Sequence, residues 1–355
     1  MRRKISAWLF VLGLVLPPAA HADDESGVDN GVPRFLLHGF SDVTLTVADH
    51  PKPTRAAFGL GQFNLFFVSN LAPDVSFLAE TVFELEEDNE QVLDVERVLI
   101  QYARSDYARL TFGRVHTAVG YWNTFYHHGA WLQPTIQRPT ALHFEDDGGV
   151  LPVHSVGGEL SGRVARGVWS MAYVGGVANG RGPRADIVQG TTDVDREKAL
   201  TGRISLLHTR DSEFEFGISG GRDHVPVDPL DSRRGALGEQ WGGVHARWES
   251  VRWTLVAEAW ALRHHDLDLE TEATHRAGYG LAIAKFGALK PYVLADVLDV
   301  DARDVFFEQS HGRRVGALGV RYDIGTFNAV KVEVRREKHA GQVTNVLAAQ
   351  TAFTF

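Results

Sequence analysis

The stretch from Asn345 to Phe355, NVLAAQTAFTF, decides the fold of this 355-residue chain. Apolar or small side chains occupy every second position, whereas Gln350 and Thr354 stand at the opposite parity, and none of the eleven residues is charged. One face of such a strand suits lipid and the other suits a polar interior. The stretch therefore predicts a membrane-spanning β-strand that ends at the terminal phenylalanine.

The other end of the chain predicts export. Basic residues at 2–4 precede the apolar run 5–16, and the small-residue site Ala20-His21-Ala22 follows. This order is typical of a secretory signal peptide, which we predict at 1–22 with cleavage after Ala22. The apolar run is shorter than the about 20 residues that a transmembrane helix needs. A short periplasmic extension at 23–34 is then expected before a barrel at 35–355.

Composition narrows the functional classes. Without its predicted signal peptide the chain would keep 33 Lys and Arg against 45 Asp and Glu, a net charge of −12. Its basic residues are scattered singly, so no nucleic-acid partner is expected, because phosphate binding needs clustered Lys and Arg. The absence of cysteine excludes disulfides and thiolate metal sites. We expect no cofactor.

Segments of about ten residues with alternating polarity recur along the chain and predict β-strands. We find sixteen, an even number that returns the chain to its starting side and is large enough to enclose a water-filled channel. The expected fold is all-β, a transmembrane antiparallel β-barrel. The predicted strands begin near residues 35, 58, 75, 92, 107, 153, 166, 197, 212, 239, 251, 274, 288, 313, 326 and 345.

Connection lengths alternate as outer-membrane barrels require, with short periplasmic turns and longer external loops. Brief connections such as 70–74 and 209–211 alternate with long ones such as 115–152, 179–196 and 338–344. Aromatic side chains beside short turns predict an interfacial girdle. They are Tyr102, Tyr107, Trp248, Trp253, Tyr322 and Phe327.

Regular alternation of polar and apolar residues also predicts which side chains of a strand face lipid and which face the lumen. Val332 and Val334 are predicted to face lipid, so Lys331 and Glu333 face the lumen, because a charge near the midplane of the lipid face costs about 2–4 kcal/mol. Extending this parity predicts a wet, charged interior. The further lumen-facing residues are Glu80, Glu84, Arg97, Gln101, Arg203, His245, Arg247, Arg252, Glu258, Arg321 and Arg335.

Two stretches resemble Gram-negative outer-membrane porins. The closing strand 345–355 resembles the terminal recognition strand of outer-membrane barrels. Residues 109–124 resemble the porin pattern in which a Gly-Arg pair, here Gly113-Arg114, ends the fifth strand and a further glycine, Gly120, opens the third loop. In architecture the resemblance covers the whole mature chain. It is closer to general or phosphate-selective porins than to sugar-specific ones.

The resemblance implies a location, a function and partners. A porin would lie in the outer membrane of a Gram-negative bacterium and passively conduct small hydrophilic solutes or ions. Its partners would be outer-membrane lipid, the barrel-assembly machinery acting at Phe355, and two further copies in a homotrimer. The long third external loop, 115–152, would fold into the lumen and narrow the pore.

In such porins, acidic groups on the loop face basic groups on the wall, and the field between them orients solutes and sets ion preference. The acidic side would consist of Glu145, Asp146 and Asp147. The basic side would consist of Arg97, Arg114, Arg203, Arg247 and Arg321. The alternative is that the acidic residues only solvate an exposed loop tip.

Histidines are frequent around the same loop. His116, His127, His128 and His143 are candidate metal ligands, with His154 close behind, since imidazole binds zinc, copper and nickel. Their spacing matches no established ligand motif. Hydrogen bonding and packing against the aromatic residues of the loop are the alternative role.

Other functional classes have weaker support. A substrate-specific or metal-related channel is the first alternative, and a barrel enzyme of the lipase or protease type is the second. Ser155 beside His154, with Asp146 or Asp147 nearby, is the best nucleophile and base on offer. Neighbours in a strand point to opposite faces, and no G-x-S-x-G elbow occurs, so we expect no enzyme.

Overall fold

A computed structural model describes residues 28–29, 32–50, 54–85, 91–127, 129–144, 147–186, 193 and 195–355. The predicted signal peptide 1–22 lies outside the described residues. In the predicted extension 23–34, Val28–Asp29 pairs with Val32–Pro33 in a short antiparallel ladder.

Within the described residues, sixteen antiparallel strands form one closed barrel. Every predicted strand is present and begins within about three residues of its predicted start. The bounds are β1 Phe35–Ala48, β2 in two parts, Arg55–Leu60 and Phe63–Ala72, β3 Val75–Leu85, β4 Gln91–Ser105, β5 Ala108–His116, β6 His154–Arg166, β7 Trp169–Ala178, β8 Ala199–Thr209, β9 Glu213–Val225, β10 Leu237–Glu249, β11 Trp253–Asp266, β12 Glu272–Ala284, β13 Leu289–Asp299, β14 Arg313–Asp323, β15 Asn328–His339 and β16 Gln342–Thr354.

The carboxyl-terminal strand closes the barrel. β16 pairs with β1, with Leu347 opposite Val47 and Phe353 opposite Ser41. Its alternation is as predicted, since Leu347 is exposed on the outer face while Gln350 is buried on the inner face. Both parts of β2 pair with β1, so the interruption at 61–62 does not open the wall.

The connections alternate in length except at one place. The turn at 106–107 and the long connection 117–153 follow the predicted pattern. The long connection predicted at 338–344 is wrong, because β15 and β16 are joined by Ala340 and Gly341 alone. Both residues have positive φ, 48° and 80°, and two such residues make the tight hairpin turn that matches strand twist.

The outer surface is a belt of exposed apolar side chains, as a lipid-facing wall requires. Val332 and Val334 are exposed, whereas Lys331 and Glu333 between them are buried, which confirms the predicted parity of β15. Five of the six predicted girdle residues are exposed, and Trp248 is partly buried.

Helix is sparse in the described part of the chain. The long connection contains α1, Trp122–Phe125, and a 3₁₀ turn, Thr140–Leu142. Among the described residues, neither helix has the length and apolar character to cross a membrane.

Candidate functional site: the long connection on the inner wall

The connection 117–153 lies against inward-facing side chains of the barrel. It leaves the wall at the end of β5 and returns at the start of β6. Between these points its backbone bonds to charged side chains on β8, β11, β13, β14 and β15. Buried peptide groups need such partners, so the wall charges fix the path of the connection.

Glu258 on β11 anchors the first turn. Its two carboxylate oxygens accept the backbone N–H groups of Tyr121 and Trp122 at 2.6 and 2.7 Å. The hydroxyl of Tyr279 donates to the same carboxylate at 2.6 Å. Glu258 is buried, and these three donors compensate the removal of its charge from water.

Two predicted arginines contact this turn. Arg203 donates to the carbonyl oxygen of Gly120 at 2.7 Å and to Oγ1 of Thr124 at 2.6 Å. Arg247 bonds to Glu213 at 2.9 Å, and its guanidinium lies 5.6 Å from the ring centroid of Tyr121. Both arginines face the lumen as predicted, but they contact the loop through carbonyl groups and aromatic rings.

Lys331 on β15 anchors the middle of the connection. It is completely buried, and its ammonium donates to the carbonyl oxygens of Ala130 and Thr135 and to Oε1 of Gln350. Three acceptors satisfy the three donors of an ammonium group. The neighbouring carboxylate, Glu333, accepts the N–H of Ile136 at 3.2 Å.

Two further wall residues complete the anchoring. Arg321 donates to the carbonyl oxygens of Trp131 and Gln133, at 2.6 and 3.1 Å. Asp296 on β13 accepts the backbone N–H of Thr140 at 2.9 Å and also its hydroxyl. The third loop is therefore bound to the wall mainly through its own peptide groups.

The predicted acid-to-arginine pairing across the lumen is not formed by Asp147. Its carboxylate contacts Nδ1 of His143 in the same loop at 2.6 Å, and its side chain is 67% exposed. Glu145 and Asp146 lie outside the described residues. The loop instead satisfies the wall charges with backbone groups, which leaves no need for a carboxylate there.

The remaining predicted arginines lie on early strands. Arg97 pairs with Glu80 on β3 at 2.5 Å. Arg114 donates to the carbonyl oxygen of Glu96 at 3.0 Å. Neither interaction joins the wall to the acidic part of the loop.

The barrel interior contains more apolar side chains, and leaves less space for water, than the sequence predicted. A buried apolar cluster fills the space between the loop and strands β9 to β14. Trp122 and Leu142 from the loop belong to it, together with Trp260 and Leu294 from the barrel strands and Phe307 from the connection after β13. Beside the charged anchors, many inward-facing positions that the loop covers on these strands are apolar, so this part of the lumen is a packed core.

A cavity of about 360 Å³ lies among the external connections. Its lining carries both charge signs, including Asp147, Asp231, Arg234 and Arg313. Asp231 is paired with Arg233, whose hydrogen bonds lower the pKa of this carboxyl to about 2. The lining of the cavity is therefore strongly polar.

The structure also brings histidines together. His116, His127 and His154 meet Glu96 in a group that we call the loop-base cluster. Of the other candidate ligands, His143 pairs with Asp147 instead, and His128 lies outside the described residues.

Sequence reasoning assigned Glu258, Lys331 and Glu333 to the lumen but not their role as anchors. Asp296 was missed, although it shares the inward parity of Tyr292 and Leu294 on β13. Glu96 could not be found by parity, because the pairing of β3 and β4 shifts register beside it. Glu80 pairs with Arg97 and Thr81 with Val95, so Glu96 is the extra residue of a β-bulge.

Comparison with known proteins gives a consistent fold. No protein-family model matches the sequence, and no curated protein matches it. Among solved structures, the anion-selective porin of Comamonas acidovorans is similar with a TM-score of 0.67 and 11% identity, over 91% of this chain and 100% of that porin. The outer membrane channel DcaP of Acinetobacter baumannii gives 0.60 and 10%, over 92% and 99%.

A third similar structure is the trimer form of in-vitro folded OmpT, an outer membrane protein of Vibrio cholerae. It gives a TM-score of 0.60 and 10% identity, over 91% of this chain and 100% of that protein. At these identities the likeness concerns the fold. The closed sixteen-stranded barrel of this chain has the fold of the outer-membrane porins.

Proposed function

We propose that this protein is an outer-membrane porin that passively conducts small hydrophilic solutes or ions. The anchoring of the third loop by buried charges of the inner wall carries the proposal. Lys331 is the strongest example, because a buried ammonium is expensive unless it is fully hydrogen-bonded. A buried ammonium that is bonded to the loop fixes the position of the loop inside the lumen. The loop then sets the width and the lining of the pore, on which selectivity depends.

Planar-bilayer recording of the refolded protein tests conduction. We expect discrete conductance steps, because a barrel of this strand number encloses space for a water-filled channel. The steps should be small, since the apolar cluster occupies part of the lumen. A record without steps in any of many insertions would contradict the proposal.

A matched pair of variants tests the role of the loop. Lys331→Met removes the donor that holds Ala130 and Thr135, and it should raise or destabilise the conductance by loosening the loop. Lys338→Met, on the same strand but at an exposed position, is the control and should conduct like the unaltered protein. Equal conductance in both variants would exclude the loop as the constriction.

A substrate-specific channel is the second candidate function. The apolar cluster favours it, because a partly filled lumen leaves a narrower passage than a general diffusion pore needs. Reversal potentials under a salt gradient and conductance block by individual solutes separate the two functions. A general pore would show weak block by all solutes of similar size, whereas a specific channel would show strong block by one class.

An enzymatic function is not part of the proposal. Among the described residues, Nε2 of His154 contacts Glu96 and His127, and Asp147 contacts His143, contacts that do not support a relay at Ser155. Incubation with lipid and casein substrates should therefore give no turnover above that of a Ser155→Ala variant.

We further propose a homotrimer in the outer membrane. The outer wall of β11 presents Ala257, Ala259 and Ala261, small exposed residues that allow close packing between barrels. Phe355 is half-exposed and stacks on Phe63, where assembly machinery could reach it. Light scattering of the detergent-solubilised protein, corrected for detergent, should give three chains per particle.

A further inference from the structure

The loop-base cluster has the composition of a transition-metal site. It contains three imidazoles and one carboxylate, and one ligand atom from each lies within 4.8 Å of all the others. His154, His127 and Glu96 are 1%, 3% and 5% exposed, and His116 is nearly buried. Nitrogen and oxygen donors in this ratio suit zinc, nickel or copper.

The four ligands come from the two roots of the long connection and from the wall beside them. His116 is the last residue of β5 and His154 the first of β6, and they are direct partners in the ladder. His127 belongs to the connection, just after α1. Glu96 is the bulged residue of β4, and bulges commonly redirect a side chain toward a functional site.

The imidazole nitrogens face one another. Nε2 of His127 lies 2.9 Å from Nε2 of His154, which in turn lies 2.6 Å from Oε2 of Glu96. The ring of His116 stacks on that of His127 with centroids 3.7 Å apart. Two imidazole lone pairs at such a distance repel unless a proton or a cation lies between them.

A second shell orients one ligand. The amide nitrogen of Asn123 donates to the carbonyl oxygens of Thr117 and Val153, which turns its Oδ1 toward Nδ1 of His127 at 2.6 Å. Nδ1 of His127 therefore carries the proton, and Nε2 presents its lone pair to the cluster. Metal-binding histidines are oriented in this way by an acceptor on the other ring nitrogen.

The local charge also favours a cation. Two buried carboxylates, Glu80 and Glu96, face this region, and Nε2 of His116 lies 4.0 Å from Glu80. Arg97 neutralises Glu80 through a 2.5 Å contact. Glu96 lies 2.6 Å from Nε2 of His154, and its carboxylate would supply the oxygen ligand of a bound cation.

We propose that the loop-base cluster binds one divalent transition-metal ion, through Glu96, His116, His127 and His154. Zinc-to-nitrogen bonds of about 2.0–2.1 Å place tetrahedral ligand atoms about 3.3 Å apart, so the four side chains need only small movements. The ion joins both roots of the loop and its first helix to β4. It is a resident structural ion, independent of which solute the channel conducts.

Calorimetric titration with zinc chloride tests the site. Protein refolded in detergent and freed of metal by EDTA should bind one Zn²⁺ per chain. His127→Ala and His154→Ala should each weaken binding by about 100-fold or more, because each removes one of four ligands. His143→Ala, which alters a histidine of the same loop outside the cluster, should bind zinc like the unaltered protein.

A second variant distinguishes loss of the metal site from misfolding of the barrel. Glu96→Gln preserves shape, should retain the β-sheet circular dichroism signal and heat-modifiable mobility of the folded barrel, and should still lose tight zinc binding. The absence of a one-to-one zinc site in the unaltered protein, or its persistence in Glu96→Gln and His154→Ala, would overturn the proposal. Conductance recorded in EDTA is a separate measurement, so either inference can fail alone.

Discussion

The described part of the barrel contains two buried clusters of imidazole and carboxylate groups, and they are built in different ways. The second consists of His264, His275 and Asp304, which we call the rim cluster. In the rim cluster each imidazole nitrogen meets a carboxylate or a backbone group. In the loop-base cluster, Nε2 of His127 faces Nε2 of His154, which also meets the carboxylate of Glu96. The same side-chain chemistry therefore gives a closed hydrogen-bond network in one place and a cation site in the other.

The rim cluster is saturated by its own partners. Oδ2 of Asp304 lies 2.7 Å from Nδ1 of His264 and 2.7 Å from Nε2 of His275. The other nitrogen of His264 lies 2.9 Å from Glu239, and the other nitrogen of His275 accepts the N–H of Asp301 at 3.2 Å. A metal ion would have to displace these contacts, so the cluster serves as a cross-link between an external connection and β11 and β12.

The comparison shows that a list of histidines does not define a metal site. A metal site also depends on which group already forms a hydrogen bond with each ring nitrogen. That partner is determined by the strands and connections packed around the ring. Asp304 comes from the connection after β13, and Asn123 comes from α1 of the third loop. The rim cluster should therefore stabilise the fold without a metal ion. The loop-base cluster should stabilise the fold by binding one.

The largest expected effect is on the rim cluster. Asp304→Asn removes the anion between two buried imidazoles and should lower the free energy of unfolding by about 3–5 kcal/mol. Glu96→Gln, its counterpart in the loop-base cluster, should cost about 1 kcal/mol in metal-free protein. Urea unfolding in detergent, followed by tryptophan fluorescence, measures both. Equal losses would mean that the two clusters have the same role.

The second-largest expected effect is a gain in the free energy of unfolding on addition of zinc, which should depend on the loop-base cluster and not on the rim cluster. At a free zinc concentration 100 times the dissociation constant, the unaltered protein should gain about 2.7 kcal/mol in its free energy of unfolding. His154→Ala, whose affinity should be weaker by about 100-fold or more, should gain at most about 0.4 kcal/mol. His264→Ala should start from a lower stability and still gain the full amount. Removal of zinc with EDTA should return each protein to its own baseline, and a gain lost only in His264→Ala would reverse the two assignments.

A smaller effect is expected at the second shell. Asn123→Ala removes the acceptor that orients His127, and it should weaken zinc binding by about 10–100-fold. Gln137→Ala, another loop amide that donates to a loop carbonyl, is the matched control and should leave zinc affinity unchanged. Calorimetry gives both affinities. An unaltered affinity in Asn123→Ala would remove the orienting role from that residue.

The smallest effect concerns acid. Burial raises the pKa of Asp304, but hydrogen bonds and charge from His264 and His275 outweigh it and hold the pKa below its ordinary value. The carboxylate therefore contributes stability fully above about pH 4, its unfolded value, and loses it as the pH falls toward the folded pKa, by at most about 1.4 kcal/mol per pH unit.

Unfolding free energies between pH 5 and pH 3 measure this slope. It should be shallower in Asp304→Asn than in the unaltered protein. Ser310→Ala, in the same connection as Asp304 but without a titrating side chain, is the control and should leave the slope unchanged. If the slope is the same in Asp304→Asn and the unaltered protein, protonation of Asp304 is not coupled to unfolding.

Much of the barrel was predictable because its physics is local. Alternation with period two is a property of neighbouring residues, so Val332 and Lys331 reveal the two faces without any knowledge of partners. The hairpin at Ala340 and Gly341 was mispredicted, because alternation does not report the positive φ of a two-residue turn. The apolar cluster was missed because Trp260 and Leu294 at inward positions signal a core only once the covering loop is known.

The sequence by itself determined the barrel, the number of its strands, their lipid-facing sides and the closing strand that ends at Phe355. These follow from side-chain periodicity and from the cost of exposing charge to lipid. The tertiary structure alone decided where the third loop lies and which groups meet at its base. His116 and His154 become neighbours through ladder register, and Glu96 joins them through a bulge. Register and bulges depend on pairing between distant segments, which no local pattern encodes.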